Sequence, residues 1–235
     1  MRRFFLEHIE ADQFTLPEEE SKHIVRVLRM QHGDSLELVD GKGTVVTAEI
    51  VDSHPKKCTV RVIERTSHGQ DPYSIHIAIA PTKNLDRMEW FVEKCTELGI
   101  HKISFLLCDN NERKVLKTER IHKIALAAMK QSKRKFLPII EEIMSLEDFL
   151  KRYPKGYIAH CYESEKFALN TYYGQESLPI LIGPEGDFSQ EEVVKAIKSG
   201  YISVTLGQTR LRTETAGLYA CSIAKLLLEE QHHEK

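Results

Sequence analysis

Ile180-Leu181-Ile182-Gly183-Pro184-Glu185-Gly186-Asp187-Phe188-Ser189-Gln190-Glu191-Glu192 decides the fold. Three large aliphatic residues in succession make a strand buried on both faces, since one solvated face would force alternation. Gly183 and Pro184 break it. Ser189 with Glu192 three positions on is a capping box, which satisfies free N–H groups at a helix start. Strand, loop and helix in that order are the unit of a parallel sheet covered by helices.

The same alternation continues in both directions. Gly200 stops that helix, residues 202–206 read as a strand, and a last helix runs from about 214 to 229. Upstream, residues 74–80, 103–108 and 157–160 read as strands. Residues 84–98, closed by Gly99, and 118–135 read as helices, with Met88, Phe91, Val92 and Cys95 on one inward stripe and Ile121, Ile124, Ala125 and Ala128 on the other. Before residue 66 the period is two. Residues 44–51 and 57–63 alternate across the turn Asp40-Gly41-Lys42-Gly43, which predicts a small β-barrel. One helix interrupts it over residues 17–30, with Pro17 and three glutamates at its start, Ile24, Val27 and Leu28 inward, and Gly33 beyond its end. Thr66-Ser67-His68-Gly69-Gln70-Asp71-Pro72 is the linker, so the domains are residues 1–70 and 71–235.

No stretch approaches the roughly 18–20 apolar residues of a membrane span, and Met1-Arg2-Arg3-Phe4-Phe5-Leu6 meets Glu7 at once, unlike a signal peptide. Five scattered cysteines, none in a C-x-x-C pair, predict free thiols, no metal site and a cytoplasmic protein. The net charge of −2 hides a basic middle: residues 71–140 carry 13 basic against 8 acidic groups, enough to keep a nucleic-acid partner in view.

Open parallel sheets bind ligands beyond the carboxyl ends of their strands. Two loops there concentrate the chemistry. Gly183-Pro184-Glu185-Gly186 lets backbone approach a ligand, and reads equally as a tight turn with Pro at its second position. Leu206-Gly207-Gln208-Thr209-Arg210-Leu211-Arg212-Thr213-Glu214-Thr215-Ala216 crowds more polar groups into a helix start than a Thr213 cap explains. Neither G-x-G-x-x-G after the domain's first strand nor G-x-x-x-x-G-K-[ST] is present, which disfavours a dinucleotide fold and a P-loop.

These two loops, with HIVRVLRM at residues 23–30, Lys94-Cys95-Thr96-Glu97-Leu98-Gly99 and Gln131-Ser132-Lys133-Arg134, resemble the bacterial ribosomal RNA uridine-N3 methyltransferases of the RsmE type, in the SPOUT superfamily. Asp187 replaces a glycine of the pattern, Thr209 and Arg210 replace Arg and an aliphatic residue, and Met129-Lys130 replace Ala-Glu. The resemblance implies a PUA-like RNA-binding barrel followed by a parallel sheet tied in a trefoil knot, in a homodimer. It also implies S-adenosylmethionine (SAM) held by His160, Cys161, Tyr162, Leu181, Ile182, Gly183, Pro184, Glu185, Gly186, Leu206, Gly207, Leu211, Arg212 and Thr215.

The implied reaction methylates N3 of a uridine in 16S rRNA of the small ribosomal subunit. N3 must lose a proton and lies on the Watson–Crick edge, so the base must be unpaired. Arg212 is the candidate for stabilising the developing imidate charge and Glu214 for the base, though Glu214 also reads as a helix cap. Arg26 and Arg29 of the first domain and Lys133, Arg134 and Lys135 of the second are candidates for RNA phosphates, with Lys83 and Arg87 behind them. A non-catalytic RNA-binding assembly factor, or an enzyme of another RNA such as tRNA, are the alternatives.

Overall fold

The computed structural model describes residues 1–9, 11–172 and 178–233. Two compact units divide the chain, Met1–Gln70 with Met129–Leu137, and Asp71–Ala128 with Pro138–Lys235.

In the first unit β1 (Arg3–Phe5), β2 (Gln13–Thr15), α1 (Glu18–Lys22), β3 (Ser35–Val39), β4 (Thr44–Asp52) and β5 (Thr59–Ser67) follow in order. The sheet runs β1-β3-β4-β5-β2, with β1 parallel to β3 and the other pairs antiparallel. It is a small β domain, with β1 and β2 at the sheet's edges. Inward positions alternate along β3 and β4, so Leu36, Leu38, Val46, Ala48 and Ile50 meet Phe4, Ile24 and Val60 in one core. Three sequence expectations change here. The helix over 17–30 is a short α1 continued by a π-helical turn, His23–Val27, in which the Leu28 N–H reaches the His23 carbonyl. The extra residue in that turn takes Val27 off the inward stripe and leaves it 69% exposed. And β5 continues through Thr66 and Ser67, paired with Val45 and Thr44, so these two are strand rather than linker.

The second unit runs β6 (His76–Ile79), α2 (Leu85–Leu98), β7 (Lys102–Leu107), α3 (Thr118–Gln131), β8 (Ile139–Ile140), β9 (Met144–Ser145), α4 (Leu146–Arg152), β10 (Gly156–Ala159), β11 (Phe167–Ala168), α5 (Leu169–Tyr172), β12 (Ile180–Ile182), α6 (Gln190–Lys198), β13 (Tyr201–Thr205) and α7 (Thr213–His233). The sheet order is β11-β13-β10-β12-β6-β7-β8 with β9 beside β7, and every pair is parallel. β6 and β12 are buried at every residue, as their unbroken apolar runs require. Asn84 caps α2, Gly99 closes it at φ +92°, and the Ser189–Glu192 capping box forms as read. α7 keeps helical backbone through His233 rather than ending near Glu229 in a tail, and the His232 and His233 side chains lie outside the described residues. No helix among the described residues is long and apolar enough to cross a membrane.

α3 stops at Gln131 instead of continuing to Lys135, because Lys133 turns left-handed at φ +57°. The chain from Met129 to Leu137 then joins the first unit, contrary to a boundary at residue 70 alone. Its reason is hydrogen bonding to its main chain: Gly43 N–H donates to the Lys135 carbonyl, Leu137 N–H to the Gly41 carbonyl, and the Arg3 side chain, through Nη1, to the Arg134 carbonyl at 2.8 Å. Gly43, at φ +106°, has no room for a side chain, since a Cβ would stand 2.7 Å from the Phe136 ring.

At the amino end of the second sheet, His76 on β6 is buried against Phe149 and Tyr153. Its Nε2 lies 2.7 Å from Ser104 Oγ, and Ser104 and Tyr153 both donate to Glu141. Because Ser104 gives its proton to Glu141, His76 is the donor to Ser104. Burial lowers its pKa from 6.5 to about 3, the Lys102 charge adding to the effect. Unfolding therefore takes up a proton between those values, so this contribution to stability is complete above pH 6.5 and lost as pH falls toward 3, by at most about 1.4 kcal/mol per pH unit. His76→Gln should have a shallower loss of stability than wild type between pH 6.5 and 4 in urea titrations; parallel curves would contradict this role.

Candidate active site

β12, β10 and β13 are neighbours in register, Ala159 beside both Ile182 and Val204, so their chains leave the sheet at one level. The loops that follow surround a cleft of about 840 Å³, closed by the first turn of α7 and by Arg87 of α2. Each loop is held by bonds within itself. After β12, the Asp187 N–H donates to the Pro184 carbonyl at 2.9 Å, and a Cβ on Gly183 would press the Phe188 ring at 3.0 Å. The segment is thus both a tight turn and a cleft wall. After β13, Gly207 sits at φ +122°, where only glycine is at ease, and Thr205 Oγ1 bonds its N–H and carbonyl. After β10, Lys166 Nζ donates to the His160 and Tyr162 carbonyls at 3.0 and 2.6 Å.

Three buried polar atoms at or beside this cleft have no hydrogen-bond partner among the described residues: the ring nitrogen His160 Nδ1 and the carboxylate oxygens Glu185 Oε2 and Glu214 Oε2. His160 bonds Ser203 Oγ through Nε2, and burial, helped by the Lys166 charge, lowers its pKa and favours the neutral ring. Glu185 Oε1 accepts the Lys83 N–H at 3.0 Å. Glu214 is buried, with Oε1 3.8 Å from Arg87 Nε, an ion pair too long for a hydrogen bond. Orphaned buried polar atoms are costly, and the gathering of two carboxylate oxygens and a ring nitrogen at one place marks a site suited to a ligand that offers donors.

Residues 69–225 match the RNA methyltransferase domain family and residues 16–63 the RNA methyltransferase PUA domain. The ribosomal RNA small subunit methyltransferase E of Bacillus subtilis (strain 168) is 32% identical, over 94% of this chain and 95% of that protein. The chain belongs to the methyltransferase E family. Among solved structures, a probable rRNA-methyltransferase from Porphyromonas gingivalis is 39% identical with a TM-score of 0.89, covering 98% of this chain and 100% of that one. The methyltransferase E of Neisseria gonorrhoeae, solved bound to S-adenosyl methionine, is 25% identical with a TM-score of 0.85, covering 97% and 98%.

Of the residues singled out by family resemblance, His160, Cys161, Ile182, Gly183, Pro184, Glu185, Leu206, Gly207, Leu211 and Arg212 line the cleft. Tyr162, Leu181, Gly186, Thr215 and Glu214 do not. Leu181 alternates to the other face of β12 and is core, Tyr162 turns its hydroxyl to the Phe188 carbonyl, and Gly186 faces Asn110. Glu214 stands beside the cleft through Arg87. Arg87, read as an RNA contact, is a lining residue, as are Lys166, Asp187, Thr209 and Arg210. Strand alternation would have excluded Leu181; nothing local signals Lys166, whose place depends on carbonyls four and six residues back. Arg26 and Arg29 are exposed in the first unit, Arg29 at φ +55°. Lys133, Arg134 and Lys135 belong to that same unit and not to the second, Lys135 Nζ lying 2.9 Å from His68 Nδ1. Lys83 pairs with Glu112 at 2.8 Å.

α7 carries the cleft's helical wall and packs against α2 and β6 through Gly217, where a Cβ would stand 2.6 Å from the buried Phe91 ring and 2.9 Å from Ile79. Gly217→Ala should lower the urea midpoint, because overpacking of about 1–3 kcal/mol exceeds the roughly 1 kcal/mol gained in helix propensity. An unchanged or higher midpoint would show that α7 can move off α2.

Proposed function

We propose that this chain transfers a methyl group from SAM to N3 of a uridine in 16S rRNA of the small ribosomal subunit, in the cytoplasm. The observation that carries the reading is the cleft at the carboxyl ends of β10, β12 and β13, with its unpartnered acceptors. SAM fits that chemistry: its ammonium, adenine amine and ribose hydroxyls are donors, and Gly183 and Gly207 supply backbone edges. When bound, the cofactor supplies a methyl group activated on a sulfonium. His160, Cys161, Gly183 to Glu185, Leu206, Gly207 and Leu211 would hold it.

The residues of the chain have two tasks, to position uracil and to remove its N3 proton. Glu214 is suited to the second, since its buried Oε2 has no competing partner among the described residues and Arg87 Nε stands 3.8 Å from its Oε1. Arg212, exposed at the cleft, is suited to face the O2 or O4 that gains charge as the proton leaves. Arg26, Arg29, Lys133, Arg134 and Lys135 would contact phosphates with the first unit, and Lys83 and Arg87 with the second. The knotted SPOUT path and a homodimer belong to the same reading; Trp90 on α2 and Tyr219 and Leu226 on α7 are large, exposed apolar side chains fit for a subunit contact.

The test uses small subunits and 16S rRNA from cells deleted for this protein, incubated with SAM and the purified chain, with methylated nucleotides mapped by mass spectrometry. One uridine should gain a methyl on N3. Glu214→Gln should slow single turnover by about a hundredfold and Arg212→Ala comparably. No methylation by wild type would end the reading, and a Glu214→Gln enzyme as fast as wild type would remove Glu214 as base.

A further inference from the structure

Asp187 occupies a position whose backbone asks for glycine, at φ +65°. Asp tolerates that conformation when its side chain bonds nearby main chain. Here it does so twice: Oδ1 accepts the N–H of Phe188 at 2.8 Å, and Oδ2 accepts the N–H of Cys161 at 2.7 Å. The first bond is local, but the second crosses from the loop after β12 to the loop after β10. A further cross-tie runs beside it, from the Tyr162 hydroxyl to the Phe188 carbonyl, and Asn110 Nδ2 holds the Asp187 carbonyl at 3.0 Å.

Both tied loops line the cleft, and so does Asp187 itself. Cys161 is exposed, so its N–H would find water if the carboxylate were removed; burial does not demand the bond. Its consequence falls on the spacing between two walls of the cleft. Lys166, already fixed on the His160 and Tyr162 carbonyls, and Arg210 are the cations near this end.

We propose that Asp187 is a positioning residue, whose carboxylate locks the loops after β10 and β12 at the separation the cofactor requires before it arrives. This rests on the SAM reading of the cleft. Locking a site beforehand removes an ordering cost from binding and leaves the chemical step alone. The loss on removing it therefore falls equally on SAM and on its demethylated thioether, since both must fill the same two loops.

Asp187→Gly deletes the tie and keeps a backbone at ease with positive φ; Asp187→Asn keeps one amide acceptor and no charge. Affinities for SAM and the thioether by calorimetry, kcat at saturating SAM and melting temperature are measured for both. The expected result for Asp187→Gly is about tenfold weaker binding of both ligands, by the same factor, with kcat within about twofold of wild type and melting changed by a few degrees only. Asp187→Asn should fall between. Unchanged affinity overturns the proposal. A loss confined to SAM overturns it too, by making Asp187 a contact to the sulfonium charge, as does a fall in kcat with affinity intact. Failure of wild type to bind either ligand is a different result, which strikes the SAM reading of the cleft.

Discussion

Backbone hydrogen bonding in a parallel sheet buried on both faces leaves no freedom at its carboxyl edge. β12, β10 and β13 are locked in register, so three loops emerge side by side and must cover the strand ends together. The site follows from that constraint. Apolar runs bury the strands, registered pairing aligns their ends, and loops too polar to bury enclose a cleft instead. α7 completes it only because Gly217 lets the helix approach Phe91 and Ile79 closely.

Within the cleft, charge and hydrogen bonding divide the work. Lysine and aspartate side chains bond main chain and hold loops, as Lys166 does on the His160 and Tyr162 carbonyls. Other groups are left incomplete: one oxygen each on Glu185 and Glu214 and one nitrogen on His160 lack partners among the described residues. A fold tolerates such atoms where something else is meant to complete them. The Neisseria gonorrhoeae methyltransferase E was solved with S-adenosyl methionine bound, a ligand that offers donors to carboxylate oxygens of this kind.

How far this was legible in the sequence depends on the range of the interactions concerned. Ser189 to Glu192 and Gly99 announce helix ends through contacts within a few residues, and both act as read, while Asn84, read as the first helical residue, caps the helix instead. The apolar runs of β6 and β12 predict burial on both faces for the same reason. The π-helical turn at His23–Val27 and the left-handed Lys133 were illegible, because their partners lie far along the chain: Phe4 packs edge-to-face on His23, and Gly43 and Gly41 bond the main chain of Lys135 and Leu137. So the basic run 133–135 could be found by composition, but not assigned to its unit. Family motifs located the cleft loops, while Arg87 and Asp187 are placed there by partners far along the chain, Glu214 and Cys161.

The central claim is that the cleft at the ends of β10, β12 and β13 is where SAM binds, and Gly183 tests it most directly. Gly183 lines the cleft and a Cβ there already presses Phe188 at 3.0 Å, so an indole at this position has to displace that wall. Isothermal titration of SAM into wild type and Gly183→Trp, with both proteins shown to be folded by circular dichroism, is the measurement. Binding at about micromolar strength by wild type and none by the variant is the predicted result. No binding by wild type, or equal binding by a folded Gly183→Trp protein, would contradict the account.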